Sequence, residues 1–225
     1  MIHVVAIDGP AGSGKSTVAR GVASALGLEV LDTGAMYRAV TLLAIERGLD
    51  LGDGEAIARA AEQAVLELGD PPGSVRLDGG DVSAEIRGPD VSAGVSEVSS
   101  HPAVRSLLRA RQREWAEQRG GGVVEGRDIG TVVFTDAPVK VFLTADEDER
   151  ARRRHRDEEA AARPADLESV RDAVDRRDTL DNRTTPLAPA RDAVVIDTTG
   201  RDVGDVVKEI VERYESTVQP VEPER

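Results

Sequence analysis

Residues 9–16 read Gly-Pro-Ala-Gly-Ser-Gly-Lys-Ser, which fits the P-loop pattern of a glycine, four residues and then Gly-Lys-Ser. The apolar run at residues 4–7 predicts a buried parallel strand immediately before this stretch. Apolar residues at helical spacing come after it, at Val18, Val22, Ala25 and Leu26. Because a P-loop lies between a strand and the start of a helix, these flanks favour it over a glycine-rich turn that binds no ligand.

The P-loop predicts a site for the phosphates of a nucleoside triphosphate. Glycines allow the main chain to approach a phosphate closely, and successive N–H groups at the helix N-terminus then face the anion. We expect Lys15, one of only three lysines in the chain, to contact the β- and γ-phosphates and the hydroxyl of Ser16 to bind Mg²⁺. The predicted ATP-binding residues are Gly9, Pro10, Ala11, Gly12, Ser13, Gly14, Lys15, Ser16 and Thr17.

Composition limits the classes to which this protein can belong. Its 225 residues suffice for one α/β domain with an insertion, and 40% hydrophobic with 32% charged residues indicate a globular protein. A formal net charge of −13 and an aromatic content of 2% argue against binding to nucleic acids or anionic membranes. The absence of cysteine excludes disulfides, thiolate zinc sites and a cysteine nucleophile.

The sequence shows neither a secretory signal nor an apolar run of membrane-spanning length. The N-terminus leads directly into the first predicted strand, without a basic segment and a cleavable apolar segment. We therefore expect a cytoplasmic protein, acting as a monomer.

Strands and helices are expected to alternate along most of the chain. The predicted strands cover residues 4–7, 28–31, 123–124, 139–143 and 194–196, and helices are predicted at 35–47, 54–68, 92–119 with a break at His101-Pro102, 147–162, 166–178 and 203–214. Short apolar runs around a turn at residues 78–81 interrupt this alternation and predict an inserted hairpin within residues 71–100. The expected fold is α/β, a five-stranded parallel sheet of the P-loop NTPase type with helices on both faces and an inserted subdomain.

Three polar segments directly follow predicted strands: residues 9–16, 32–38 and 126–128. Ligands of parallel sheets bind at the carboxyl ends of the strands, so these segments should line one cleft. Arg38 and Arg127 exceed what a triphosphate site needs, and a guanidinium matches a phosphate with two parallel hydrogen bonds. We predict that they hold a second phosphorylated ligand; the alternative is pairing with Asp32 or Asp128.

A strongly basic helix is predicted after residue 146. Arg150, Arg153 and Arg154 lie one turn apart on one face, where they could neutralise the charge of a transferring phosphoryl group. The alternative is a solvated helix in which these arginines pair with Asp146, Glu149, Asp157 and Glu158. Catalysis would rest on positioning and electrostatics, because a phosphate oxygen as acceptor needs no strong base.

Five stretches between residues 4 and 199 together resemble the bacterial cytidylate kinases (CMP/dCMP kinases), nucleoside monophosphate kinases among the P-loop proteins. They are Ile-Asp-Gly-Pro at 7–10, Asp-Thr-Gly-Ala-Met-Tyr-Arg at 32–38, Asp-Val-Ser-Ala-Glu-Ile-Arg at 81–87, Glu-Gly-Arg-Asp-Ile-Gly-Thr-Val-Val-Phe at 125–134 and Ala-Pro-Val-Lys-Val-Phe-Leu at 137–143. The resemblance implies that Mg²⁺ and ATP are used to phosphorylate CMP or dCMP. It also implies that the insertion is a small NMP-binding subdomain with β-structure and that a helical lid closes the site.

The same resemblance implies roles for residues of the acceptor site. Arg38 and Arg127 would bind the acceptor phosphate beside the Thr33 hydroxyl, whereas Ser96, Arg105 and Asp128 would read cytosine. A carboxylate at Asp128 suits the N4 amino group of cytosine, and uracil presents an acceptor at that edge. Catalytic roles fall to Lys15, Arg127, Arg150 and Arg154.

The family pattern Arg-Asp-x-x-Asp-x-x-Arg is matched in part. Arg177 and Asp181 fit, and the resemblance implies that they contact the ribose hydroxyls. Arg183, implied at the phosphate, follows Asp181 by two residues instead of three, and the Pro-Leu after it also comes early. The alternative for all three is a charged helix end.

We expect one kinase domain over residues 1–225. Its core is predicted at about 1–60, 101–148 and 186–215, with the NMP-binding insertion at 61–100, the lid at 149–185 and a loose tail at 216–225. Another P-loop kinase of nucleotides or small molecules is the chief alternative, against which the insertion and residues 126–128 speak. A nucleotide-dependent switch or binding protein is the other; the Asn-Lys-x-Asp guanine reader of a GTPase does not occur in the sequence.

Overall fold

The computed structural model describes residues 3–69, 73–160, 166–184 and 186–218, without the side chains of residues 69, 183 and 184. Within these ranges the strands are β1 (His3–Asp8), β2 (Val30–Asp32), β3 (Leu66–Gly69), β4 (Ser74–Leu77), β5 (Gly80–Asp81), β6 (Gly121–Gly126), β7 (Val139–Thr144) and β8 (Val194–Asp197). The helices are α1 (Lys15–Leu26), α2 (Thr33–Glu46), α3 (Gly54–Gln63), α4 (Pro89–Ser100), α5 (Pro102–Arg119), α6 (Glu147–Ala160), α7 (Leu167–Thr184) and α8 (Val203–Thr217), with a 3₁₀ turn at Glu85–Arg87 and a π-helix at Ile129–Val133.

The main sheet has five parallel strands in the order β2-β6-β1-β7-β8, which confirms the predicted fold class. Alternate residues of β1 enter two different cores. Val5 and Ile7 pack with α1 and α8, whereas Val4 and Ala6 pack with α2 and α5. Because both faces are covered by helices, β1 reads as a continuous apolar run. None of the described helices is long and apolar enough to cross a membrane.

A second, antiparallel sheet has the order β3-β4-β5 and contains the hairpin expected within residues 71–100. Its third strand is a correction, because the helix predicted at 54–68 ends at Gln63 and β3 follows. Leu66 and Leu68 pair with Leu77 and Val75 across the sheet. This pairing with a strand further along the chain outweighs the local helical pattern.

Other differences from the sequence predictions concern element ends. The helix expected at 35–47 starts at Thr33, because the Asp32 carboxylate caps it by accepting a hydrogen bond from the Ala35 N–H, 2.9 Å away. The helix expected at 166–178 continues to Thr184, and α8 continues to Thr217, so the first residues of the expected tail are helical. Residues 161–162 and 219–225 lie outside the described ranges.

The topology brings the three polar segments to one edge of the sheet. β1, β2 and β6 are neighbours, and the P-loop, the start of α2 and residues 127–128 follow their carboxyl ends. These three segments form what we call the cleft. The π-helix after Asp128 was not predicted; π-turns of this kind recur at functional sites.

Candidate active site

The P-loop has the backbone that its sequence predicts. Gly9, Gly12 and Gly14 have φ values of 152°, 75° and 89°, and a Cβ at Gly9 would lie 2.2 Å from the Leu143 carbonyl oxygen. α1 begins at Lys15, and Gly14 before it has no side chain to cap the first turn. The N–H groups of this turn therefore face the cleft as anion donors.

Opposing effects act on the pKa of Lys15. Its ammonium donates a hydrogen bond to the Pro10 carbonyl oxygen, 2.8 Å away. Burial and the nearby Arg127 lower the pKa of Lys15, and the charge of Glu125 opposes them. A bound phosphate would favour the charged lysine further.

Glu125 is a buried carboxylate that sequence reasoning quoted only as part of a motif. Burial, followed by the charge of Asp32, raises the pKa of Glu125, whereas Lys15 and a hydrogen bond with Ser16 lower it. The Thr33 hydroxyl donates a hydrogen bond to the Glu125 main-chain carbonyl oxygen, 2.7 Å away. An acidic residue at the end of a strand beside β1 was the signal that could have identified it.

Arg38 is buried and donates hydrogen bonds to neutral groups. Its Nη1 donates to the Ile86 carbonyl oxygen at 3.2 Å and to the Ser92 hydroxyl at 2.9 Å. Among the described residues no carboxylate forms an ion pair with it, so the alternative of pairing with Asp32 is not observed. Burial lowers the pKa of Arg38, and the positive charges of Arg177 and Arg154 add to this effect.

Arg127 connects the P-loop with α7. Its Nη1 lies 3.3 Å from the Gly9 carbonyl oxygen and 3.1 Å from Oδ1 of Asp178, and its Nη2 lies 2.9 Å from Oδ2 of Asp181. It is therefore paired with acids, but these come from α7 rather than from the neighbouring Asp32 or Asp128. Sequence reasoning assigned no role to Asp178.

The three α6 arginines singled out in the sequence, Arg150, Arg153 and Arg154, have different partners. Arg150 is buried and donates to the Ala11 carbonyl oxygen at 3.2 Å and to the Asp178 carboxylate. Arg153 bonds Thr198, at the turn before α8, through Oγ1 and the carbonyl oxygen, each at 2.8 Å. Arg154 pairs with Glu158 on its own helix. Of these three arginines, Arg150 alone forms a hydrogen bond with the P-loop within the part of the chain that the structure describes, and the catalytic role of Arg154 stays a prediction.

Asp128 and Arg105, both predicted to read cytosine, form an ion pair. Nη2 of Arg105 donates to the Asp128 carboxylate, and Nη2 of Arg109 lies 3.6 Å from the same oxygen. Arg109 was missed, although its position one turn after Arg105 on α5 could have identified it. Tyr37 lies close enough to Arg105 and Asp128 for their charges to act on its hydroxyl, and burial raises the pKa of this hydroxyl.

The segment after Asp128 is fixed by Asp8, the last residue of β1. The buried Asp8 carboxylate accepts hydrogen bonds from the Ile129 and Gly130 N–H groups at 2.7 and 2.8 Å. Burial raises the pKa of Asp8 to about 6, although both hydrogen bonds oppose this shift. Asp8 thus ties the start of the π-helix to the strand that carries the P-loop.

The remaining residues predicted for the acceptor site lie on α7 or contact it. The Ser96 hydroxyl donates to Oδ1 of Asp181 at 3.1 Å, so it contacts this acid rather than Arg105 or Asp128. Nε of Arg177 lies 3.7 Å from Oδ2 of Asp181. The side chain of Arg183 lies outside the described residues, and its predicted phosphate contact stays a prediction.

A cavity of about 760 Å³ opens beside the P-loop. Its walls come from Pro10, the end of β7, the first turns of α6 and Thr199. This volume lies within the usual range for small-molecule sites.

Comparison with known proteins identifies the family of this chain. The family model described as cytidylate kinase matches residues 5–216. The cytidylate kinase of Mycolicibacterium paratuberculosis is 53% identical over 208 residues, covering 91% of each chain, and that of Corynebacterium efficiens is 46% identical over 220 residues, covering 96% of each. A crystal structure of an uncharacterized protein from Eubacterium ventriosum has a TM-score of 0.53 at 15% identity, covering 95% of this chain and 99% of that one, which supports the fold alone. These sequence matches show that the chain belongs to the cytidylate kinase family.

Proposed function

We propose that this chain transfers the γ-phosphoryl group of ATP to CMP and dCMP, giving CDP and dCDP, with Mg²⁺ as the metal. Its family makes it an ATP-dependent phosphotransferase that acts on CMP. The observation that carries the proposal at the level of residues is the 3.3 Å contact between Arg127 and the Gly9 carbonyl oxygen. It puts a guanidinium beside the P-loop, where an acceptor phosphate would have to approach the triphosphate.

The donor side of the site is the P-loop. Its N–H groups and Lys15 would bind the β- and γ-phosphates, because a helix N-terminus and a lysine both favour anions. The cavity beside Pro10 would take the rest of ATP, since it opens next to the P-loop and has the volume of a nucleotide site.

The acceptor phosphate would lie between Arg38 and Arg127, close to Thr33. Arg38 supports this placement most directly. No carboxylate of the described residues forms an ion pair with it, and a buried guanidinium is costly unless a ligand supplies negative charge. Arg127 would exchange α7 carboxylates for phosphate oxygens. Both arginines would also stabilise the charge that develops during transfer.

Cytosine would be read by Asp128 and Arg105. The carboxylate would accept a hydrogen bond from N4, and the guanidinium would donate to N3 or O2. Uracil would place O4 against the same carboxylate, leaving two acceptors face to face. Ser96 would join this set only after its hydroxyl leaves Asp181, and Arg177 with Asp181 would hold the ribose.

Mg²⁺ would bind at the Ser16 hydroxyl, near the carboxylates of Glu125 and Asp32. Hydroxyl and carboxylate oxygens are the donors that this ion prefers, and it commonly completes its coordination with substrate phosphates and water. The bound ion would supply positive charge at the β- and γ-phosphates.

We further propose a division of labour within one domain: the main sheet as core, residues 61–100 as the NMP-binding insertion and residues 149–185 as the lid. The protein would act as a cytoplasmic monomer. It would have no nucleic-acid partners, and the net charge of −13 supports this last point. Light scattering on the purified chain tests the monomer, and a stable dimer would contradict it.

A substrate panel tests the proposed reaction. ATP with Mg²⁺ is combined with CMP, dCMP, UMP, AMP or GMP, and ADP formation is followed. We expect rapid turnover with CMP and dCMP and slow turnover with the other acceptors. ATP consumption at the same rate without any acceptor would identify an ATPase instead and overturn the proposal.

A further inference from the structure

The carboxylate of Asp178, a residue of the proposed lid, contacts the P-loop. Oδ1 of Asp178 accepts hydrogen bonds from the Ala11 N–H and from Nη1 of Arg127, each at 3.1 Å. Its Oδ2 accepts from Nη1 of Arg150. Asp178 lies on α7, 167 residues from Ala11 in sequence.

The proposed function gives the P-loop N–H groups and Arg127 to phosphates, and the sequence predicts that Arg150 lies at the transferring phosphoryl group. A main-chain N–H of a P-loop and two guanidinium groups form an anion site, which carboxylate and phosphoryl oxygens can both fill. The side chain of Asp178 is only 16% exposed, so it takes up the space between these donors. A phosphoryl group using the same donors needs the space that Asp178 fills.

We propose that Asp178 is an internal substitute for the phosphoryl groups of ATP, holding Ala11, Arg127 and Arg150 in the empty enzyme until the triphosphate displaces it. This inference rests on the proposed function, because it takes the P-loop to be the ATP site. In the conformation described here, Nη2 of Arg127 also lies 2.9 Å from Oδ2 of Asp181.

The contact also links the two halves of the site. Asp178 and Asp181 lie one turn apart on α7, and Asp181 contacts Ser96, Arg127 and Arg177. Moving Asp178 away from the P-loop therefore shifts the acid that would hold the ribose. Binding of ATP would thus rearrange the acceptor side of the cleft.

The variant Asp178→Asn tests this, because it removes the charge and keeps the shape. Binding of Mg²⁺ with a non-hydrolysable ATP analogue, and of inorganic pyrophosphate, is measured by calorimetry on the full chain. We expect the variant to bind the analogue about tenfold more tightly. In the wild-type protein only the fraction of molecules in which Asp178 has left the P-loop can bind the analogue, and this lowers the apparent affinity. Asp175→Asn is the matched control, because it removes an exposed carboxylate from the same helix, and its affinity should stay within about twofold of wild type.

Unchanged or weaker binding by a folded Asp178→Asn protein would overturn the inference; weaker binding would mean that Asp178 acts together with the ligand. Failure of the wild-type protein to bind the analogue would count against the proposed function instead. Hydrogen exchange of α7 gives a second readout. We expect faster exchange in ligand-free Asp178→Asn than in ligand-free wild type, and equal protection would also overturn the inference.

Discussion

The guanidinium of Arg38 donates a hydrogen bond to the main-chain carbonyl oxygen of Ile86, 3.2 Å away. The helix that follows β2 is thereby joined to the 3₁₀ turn that follows the small sheet. The bond satisfies one donor of a buried guanidinium and leaves its charge unpaired within the described part of the chain. Under the proposed function, this bond would hold Arg38 in position for the acceptor phosphate before it binds.

Replacing Arg38 with alanine should weaken CMP binding about 100-fold and binding of the ATP analogue less than about threefold, because a charge-assisted contact to one phosphate is lost. Calorimetry with each nucleotide separately measures both. Arg47→Ala is the control, since Arg47 follows the same helix and makes an exposed ion pair with Asp78. If alanine unfolds the protein, Arg38→Lys keeps the charge and loses the paired donors; equal weakening of both nucleotides would contradict the placement.

Replacing Lys15 with alanine should lower kcat by about 1,000-fold, because the positive charge at the transferring phosphoryl is lost. Steady-state rates with saturating CMP measure the loss, and circular dichroism checks the fold. Lys208→Ala removes a lysine that is 76% exposed on α8 and should leave the rate unchanged. A Lys15 variant as active as wild type would exclude the P-loop as the donor site.

Replacing Asp128 with asparagine should reduce the preference for CMP over UMP about 100-fold, because an amide can donate to O4 of uracil where a carboxylate cannot. The ratio of kcat/KM for the two acceptors is the measurement. Asp136→Asn, an exposed position a few residues later, is the control. Retention of the wild-type ratio would assign base reading to another residue.

The raised pKa of Asp8 predicts a pH dependence of stability. A carboxyl with a pKa of about 6 in the folded state and 3.8 in the unfolded state binds more protons when folded. Its contribution to stability is therefore present at low pH and is lost as the pH rises through 6. Relative to Asp8→Asn, whose side chain does not titrate, wild type should lose about 1 kcal/mol of unfolding free energy between pH 5.5 and 7.5. Urea unfolding of both proteins measures it, and a constant difference would contradict the raised pKa.

Local patterns predicted the main sheet well. β1 has a continuous apolar run at residues 4–7, and the alternation of short apolar runs with helical patterns predicted a parallel sheet. β3 could not be predicted in this way, because Leu66 and Leu68 become strand residues only by pairing with β4. The early start of α2 depends on a cap by the Asp32 side chain, a contact that the expected start at residue 35 did not include.

The sequence by itself identified the family and predicted the phosphate site, because P-loop chemistry depends on residue types at fixed spacing within one short segment. It also named Arg38, Arg105 and Arg127, but not Arg109, which faces Asp128. Only the tertiary structure decided which acids face them: Arg127 meets Asp178 and Asp181 from α7, and Asp128 meets Arg105 and Arg109 from α5. Such pairs join residues far apart in the chain, and a long side chain on a helix reaches partners that spacing cannot specify.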